Sequence, residues 1–203
     1  MSRTSRSHHT SRFSRSPATR ILAAVVLSAA AIGAGASPAS ARTVTWTLSD
    51  GFENNPAATW EVGSSGGGYG IIYSFDTGMA RGGSGGVVLD QTGNGFTSVG
   101  KPIAPVVVAG ATWCRGYVWA QRRVYATNTL TVNLEAINSS TWTYAGVSRY
   151  NLFGPGSGRW EQIFISFHPT TRNLYLRVSV IGTPGYVNVV NFDDIYLRCT
   201  TTY

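Results

Sequence analysis

Asp193 and Asp194 stand side by side in "NFDDIYLRC", residues 191 to 199, between Phe192 and Ile195. The stretch otherwise reads as a β-strand near the end of the chain, and aspartate is among the residues that strands use least. Packed carboxylates repel one another, so such a pair has to be compensated. Catalytic chemistry is thinly supplied elsewhere. From residue 42 onward there is one histidine, His168, followed by Pro169 with no acid near it in sequence, which leaves serine-type catalysis poorly supported. A glycosidase needs two carboxyls across the scissile bond, and the acids available besides Asp50, Glu53, Asp193 and Asp194 are Glu61, Asp76, Asp90, Glu135 and Glu161.

A second group of candidates comes from strict alternation. Leu130, Val132, Leu134 and Ala136 are apolar at every second position, so Thr131, Asn133 and Glu135 point the other way. Leu174, Leu176, Val178 and Val180 do the same and turn Tyr175, Arg177 and Ser179 outward. Between 113 and 121 the small or apolar set is Cys114, Gly116, Val118 and Ala120, opposite Trp113, Arg115, Tyr117, Trp119 and Gln121. If the aliphatic set is core, one sheet face carries Tyr117, Trp119, Gln121, Asn133, Glu135, Tyr175 and Arg177. That mixture of flat rings, amides, a carboxylate and a guanidinium suits sugars, whose CH faces lie against rings and whose hydroxyls pair with planar polar groups. The alternative is an inverted phase that makes Trp113 and Trp119 core. Trp46, Trp60 and Trp160 read as packing residues, while Trp142 and Tyr144, in "NSSTWTYAG", are placed to form a rim.

The elements that must position these residues are strands. Short runs rich in Val, Thr, Tyr, Trp and Ile, separated by Gly, Pro, Asn and Ser, predict strands near 43–48, 70–75, 86–91, 97–99, 112–124, 129–137, 144–151, 160–167, 174–181 and 187–198. "GSSGGGYG" (63–70) and "RGGSGG" (81–86) read as loops or bulges, and with no helix after them they are not phosphate-binding loops. That number of strands is enough for two stacked sheets.

Residues 1–41 read as a secretory signal. Residues 1–20 hold five Arg and no acid, an Ala-rich apolar run follows, and Ala39-Ser40-Ala41 has the small-x-small cleavage pattern. Removing those five Arg from the 16 basic residues leaves 11 against 9 acids, so the formal +7 falls to +2. A concentrated positive face for nucleic acid is then absent from the pattern. Residues 42–203 suit one domain, secreted and extracellular, without a membrane span after signal removal. Cys114 and Cys199 are the only cysteines, and in an exported chain an even pair is most simply a disulfide, two free thiols being the alternative.

The motifs "SDGFE" (49–53), "TW" (59–60), "GGSGGVVLD" (82–90), "WCRGYVWAQ" (113–121), "GRWEQIFISF" (158–167) and "VNVVNFDDIYLRC" (187–199) follow one order. In that order and spacing the chain resembles a carbohydrate-binding module of the galactose-binding-like β-jelly-roll superfamily, of the family 4, 9 and 22 type. The resemblance implies an all-β sandwich of two antiparallel sheets that binds a polysaccharide or oligosaccharide, as a monomer, without cleaving it. It also implies a structural calcium ion where the first and last strands meet, held by Glu53 and Asp193, with Asp194 and Asp50 as further ligands; Ca²⁺ takes six to eight oxygens, which acids and loop carbonyls supply. The alternative for the pair is that Asp194 points to water and Asp193 accepts backbone N–H groups. Modules of this type usually accompany a hydrolase, so a protein-binding inhibitor or adhesin on the same sandwich is the competing function, with a glycan-active enzyme behind it.

Overall fold

The computed structural model describes residues 41–66, 69–71, 80–123, 129–152 and 158–203. Of the expected signal, 1–41, residues 1–40 lie outside the described residues. Among those described, the only helical element is one 3₁₀ turn, Pro56–Ala58, and no helix is long and apolar enough to cross a membrane.

Among the described residues, eleven strands form two antiparallel sheets. One contains β1 (Thr43–Asp50), β3 (Tyr69–Ile71), β4 (Val87–Thr92), β6 (Thr112–Arg122), β9 (Glu161–Phe167) and β11 (Val187–Thr202). Its order is β3-β4-β11-β6-β9, with β1 also pairing β11. The other runs β2-β5-β10-β7-β8, from β2 (Glu61–Ser65), β5 (Phe96–Ile103), β10 (Leu174–Ile181), β7 (Leu130–Asn138) and β8 (Thr143–Leu152). The expected all-β sandwich is therefore present. Consecutive strands repeatedly cross from one sheet to the other, as β6 to β7 does, because two half-apolar sheets reach a dry interior only by closing on each other.

The alternation read from sequence holds. Cys114, Val118 and Ala120 on β6, Leu130, Val132, Leu134 and Ala136 on β7, and Leu174, Leu176, Val178 and Val180 on β10 are all buried in one core. Trp60 is buried against Phe52, with ring centroids 5.3 Å apart, and Trp46 packs on the core edge. Trp113 faces out, which rejects the inverted phase.

Cys114 and Cys199 face each other across β6 and β11 and form a disulfide within this core. Two boundaries differ from expectation. Part of the stretch expected as a glycine loop, 63–70, is strand, because β2 pairs along β5 through Gly63 and Ser65. The strand expected at 97–99 extends over Phe96–Ile103, gripped on both edges by β2 and β10. Of the strand expected at 70–75, Tyr69–Ile71 is seen and 72–75 lie outside the described residues.

Candidate functional site

The seven residues expected on one face do not share one. Tyr117, Trp119 and Gln121 lie on β6, and Asn133, Glu135, Tyr175 and Arg177 on β7 and β10, in the opposite sheet. Since both sets point away from the shared core, they occupy opposite outer surfaces of the sandwich. Alternation fixes which side of a strand a residue takes but not which sheet the strand joins, and that is the physical reason for the correction.

On the five-stranded sheet the residues converge. Strand register sets three rows across the outer face: Glu61, Gly100, Arg177, Glu135, Val147; then Gly63, Ser98, Ser179, Asn133, Arg149; then Ser65, Phe96, Ile181, Thr131, Asn151. The middle row starts with three small residues, so the sheet is low there and larger side chains stand on either side. The result is an open cleft of about 380 Å³ whose lining includes Phe96, Asn133, Glu135, Tyr144, Arg149 and Arg177.

Its floor is a hydrogen-bonded network. Glu135, 1% exposed, forms an ion pair with Arg177 Nε through Oε2. Its Oε1 accepts from Tyr144 Oη at 3.3 Å and from Asn133 Nδ2 at 3.4 Å. A buried carboxylate is tolerable only with such partners, since losing one leaves an uncompensated charge. Asn133 Oδ1 is buried with no hydrogen-bond partner. Beside the network, Tyr175 Oη donates to Glu61 Oε2 at 3.1 Å, and burial, reinforced by the Glu61 carboxylate, pushes the phenol up to about 12.

The rim is aromatic. Trp142, 65% exposed, is held at φ 55° in the turn between β7 and β8, where its N–H donates to Asn138 O at 2.8 Å. A bulky residue at positive φ is costly and persists only where the surroundings enforce it. This backbone sets the Trp142 ring 5.7 Å from that of Tyr175, beside the half-exposed Tyr144. Of the cleft, sequence reasoning found Asn133, Glu135, Tyr175 and Arg177, and set Trp142 and Tyr144 on a rim. It missed Phe96 and Arg149; a longer β5 and the pairing of β8 were the signals required.

The opposite sheet holds the remaining expected residues. Trp119 is half-buried, and the Arg81 guanidinium sits over its ring, 4.1 Å from the centroid, so it is not a bare platform. Gln121 is drawn into contacts with its neighbours, donating to Gly158 O at 2.6 Å and accepting from Asn191 Nδ2 at 3.1 Å.

Asp193 and Asp194 sit in a bulge of β11, where β4 stops pairing and β1 begins, with Asp194 at φ 49°. Asp193, fully buried, accepts from Arg81 N at 2.6 Å and Gly82 N at 3.1 Å on Oδ2, and from Asp194 N at 2.7 Å on Oδ1. Burial still pushes its carboxyl above the usual range, against the pull of these N–H donors. Asp194 Oδ2 pairs with Arg81 at 2.5 Å. Glu53 Oε2 accepts from the N–H groups of Ser84 and Gly85 and from Ser84 Oγ, which hold its carboxyl below the usual range. Asp50 points elsewhere, to Phe52 N and Trp60 Nε1.

Calcium is expected at Glu53, Asp193, Asp194 and Asp50. The oxygens face N–H groups and a guanidinium, and among the described residues no three His, Cys, Asp or Glu come together as a metal-holding group. The arrangement is the alternative read from sequence for Asp193, with Arg81 rather than water at Asp194.

This is the fold of the β-sandwich carbohydrate-binding modules. No protein-family model matches the sequence, and no curated protein matches it. Among solved structures, the chain is similar to the C-terminal family 22 carbohydrate-binding module of Clostridium thermocellum Xyn10B, at 17% identity and TM-score 0.50, covering 74% of this chain and 90% of that one. It is similar to the K3 cleaved adhesin domain of Lys-gingipain from Porphyromonas gingivalis, at 15% identity and TM-score 0.54, covering 77% and 99%. It is also similar to the N-terminal CBM22-1–GH10 modules of the Clostridium thermocellum xylanase, crystallised with xylohexaose, at 18% identity and TM-score 0.52; the match covers 74% of this chain and 28% of that longer one. At these identities the likeness establishes the fold, which modules and adhesin domains share.

Proposed function

We propose that the protein binds polysaccharide, without cleaving it, in the cleft of the five-stranded sheet. The observation that carries this reading is the Glu135, Arg177, Asn133 and Tyr144 network on the floor of an open groove rimmed by Trp142 and Tyr175. Rings take the CH faces of sugar rings, and planar polar groups take their hydroxyls. The partnerless Asn133 Oδ1 is an acceptor that a sugar hydroxyl would satisfy, relieving a desolvation cost of about 1–3 kcal/mol. Glu135 and Arg177 compensate each other on the floor, and Arg149 is a further donor in the lining for sugar hydroxyls.

The two acids of this face are already engaged, Glu61 by Tyr175 and Glu135 by Arg177, Tyr144 and Asn133, which suits hydrogen bonding to hydroxyls better than hydrolysis. Export is part of the proposal, and the disulfide supports an oxidising compartment. The acidic cluster at β11 is closed by Arg81 and the 81–85 loop instead of by calcium.

The test is retention on insoluble cellulose, xylan and galactan, with reducing-sugar release followed in parallel. Replacing Trp142 and Tyr144 by Ala is expected to weaken retention by about 1–3 kcal/mol per ring, by analogy with rings stacked on bases. The melting temperature should hardly move for Trp142→Ala, because that ring is exposed, whereas Tyr144→Ala also removes a hydrogen bond to the buried Glu135 and should lower it. Trp119→Ala should leave retention unchanged. No retention on any glycan, or loss only with Trp119→Ala, would reject the cleft.

A further inference from the structure

The outer face of the six-stranded sheet has an unexplained feature of its own. Trp113 and Phe164 are 46% and 62% exposed there, beside Tyr117 and Tyr196, whose rings stack with centroids 5.5 Å apart. These four line a shallow depression of about 550 Å³ with Arg115 and Ser166. Exposed aromatic surface concentrated in this way marks a contact site. Arg115 and Arg198 are direct cross-strand neighbours on this face, and like charges in that position destabilise a sheet. Neither is in an ion pair among the described residues, whose pairs are Arg81–Asp194, Lys101–Asp50 and Arg177–Glu135. Arg115 lies over the Trp113 ring, and Arg198 Nε is buried without an acceptor.

From this charge pattern we propose a second binding surface, separate from the cleft, for a polysaccharide carrying uronic-acid carboxylates. Guanidinium groups fork onto carboxylates through paired N–H bonds, and the rings between them take the apolar faces of the sugars. Other occupants fit less well. The patch is centred on β6, paired on both edges by β9 and β11, so a peptide cannot add to β6 as a strand. A symmetric contact with a second copy would set guanidinium pairs against guanidinium pairs. Residues 1–20, with five Arg and no acid, carry the same sign as the patch.

The experiment titrates the full chain with polygalacturonate, following tryptophan fluorescence, with neutral galactan, dextran sulfate and poly-glutamate as comparisons. The expected result is saturable binding of polygalacturonate that weakens with added salt. It should fall at least tenfold in the double variant Arg115→Gln/Arg198→Gln and in Phe164→Ala, and persist in Glu135→Gln, which disables only the cleft. Melting curves of each variant establish that it folds. Binding unchanged in the arginine and Phe164 variants, lost in Glu135→Gln, or matched by poly-glutamate or dextran sulfate would overturn the proposal, as would no binding. Failure of the cleft shows instead as loss of neutral-glycan retention, which this face does not affect.

Discussion

The Tyr175 hydroxyl measures how far the aromatic rim beside the cleft is desolvated. Its pKa, pushed up to about 12 by burial and the Glu61 carboxylate, makes the native protein hold this proton longer than the unfolded chain does. The contribution to stability is thus full below about pH 10, the ordinary tyrosine value, and is lost as pH rises toward 12. An absorbance titration should show a late phenol transition that Tyr175→Phe removes; the hydrogen bond to Glu161 raises Tyr150 as well, so the difference between the two proteins is the readout. If the difference between the two curves develops near pH 10, the ordinary tyrosine value, Tyr175 is not desolvated. At this scale the sequence was informative about side-chain direction, because each β-strand turns successive residues to opposite faces. It was silent about Arg81, whose contacts with Trp119, Asp193 and Asp194 join positions more than a hundred residues apart for the acids, with no local pattern to announce them.

At the scale of elements, β11 does the most to organise the molecule, pairing β6 on one edge and β4 then β1 on the other. The aspartate bulge sits at the changeover, where loop 81–85 fills the gap with its N–H groups. A chelator should therefore leave the melting temperature unchanged, while Arg81→Ala should lower stability by up to about 1 kcal/mol, since its ion pair is partly exposed. A fall with chelator that added Ca²⁺ reverses would show that the acids turn onto an ion. The disulfide ties β11 to β6 across a sequence separation of 85 residues. Replacing both cysteines by Ala should cost about 4 kcal/mol in a urea unfolding curve, on the chain-entropy view; an unchanged midpoint would show that the core alone fixes this pairing. Strand existence was legible because Val, Thr, Tyr and Ile runs were clearly bounded. The short β2 was not, since Gly63 and its serine neighbours carry no strand signal and are held by pairing with β5.

For the whole molecule, the decisive fact is that two chemically different faces lie back to back. One is a polar cleft built on the Glu135–Arg177 ion pair, the other a field of rings beside two neighbouring arginines outside the ion pairs of the described residues. The sandwich was readable in advance from strand number and alternation, whereas the division of the candidate residues between faces depended on β6 and β7 joining different sheets, which no local periodicity records. The most direct measurement of the central claim is mapping of amide chemical shifts on titration with neutral xylo-, cello- and galacto-oligosaccharides. The account predicts that a binding oligosaccharide moves amides of β7, β8 and β10 around Asn133, Glu135, Tyr144 and Arg177, leaving β6 and β9 still; shifts confined to β6, β9 and β11, or none with any of the sugars, would contradict it.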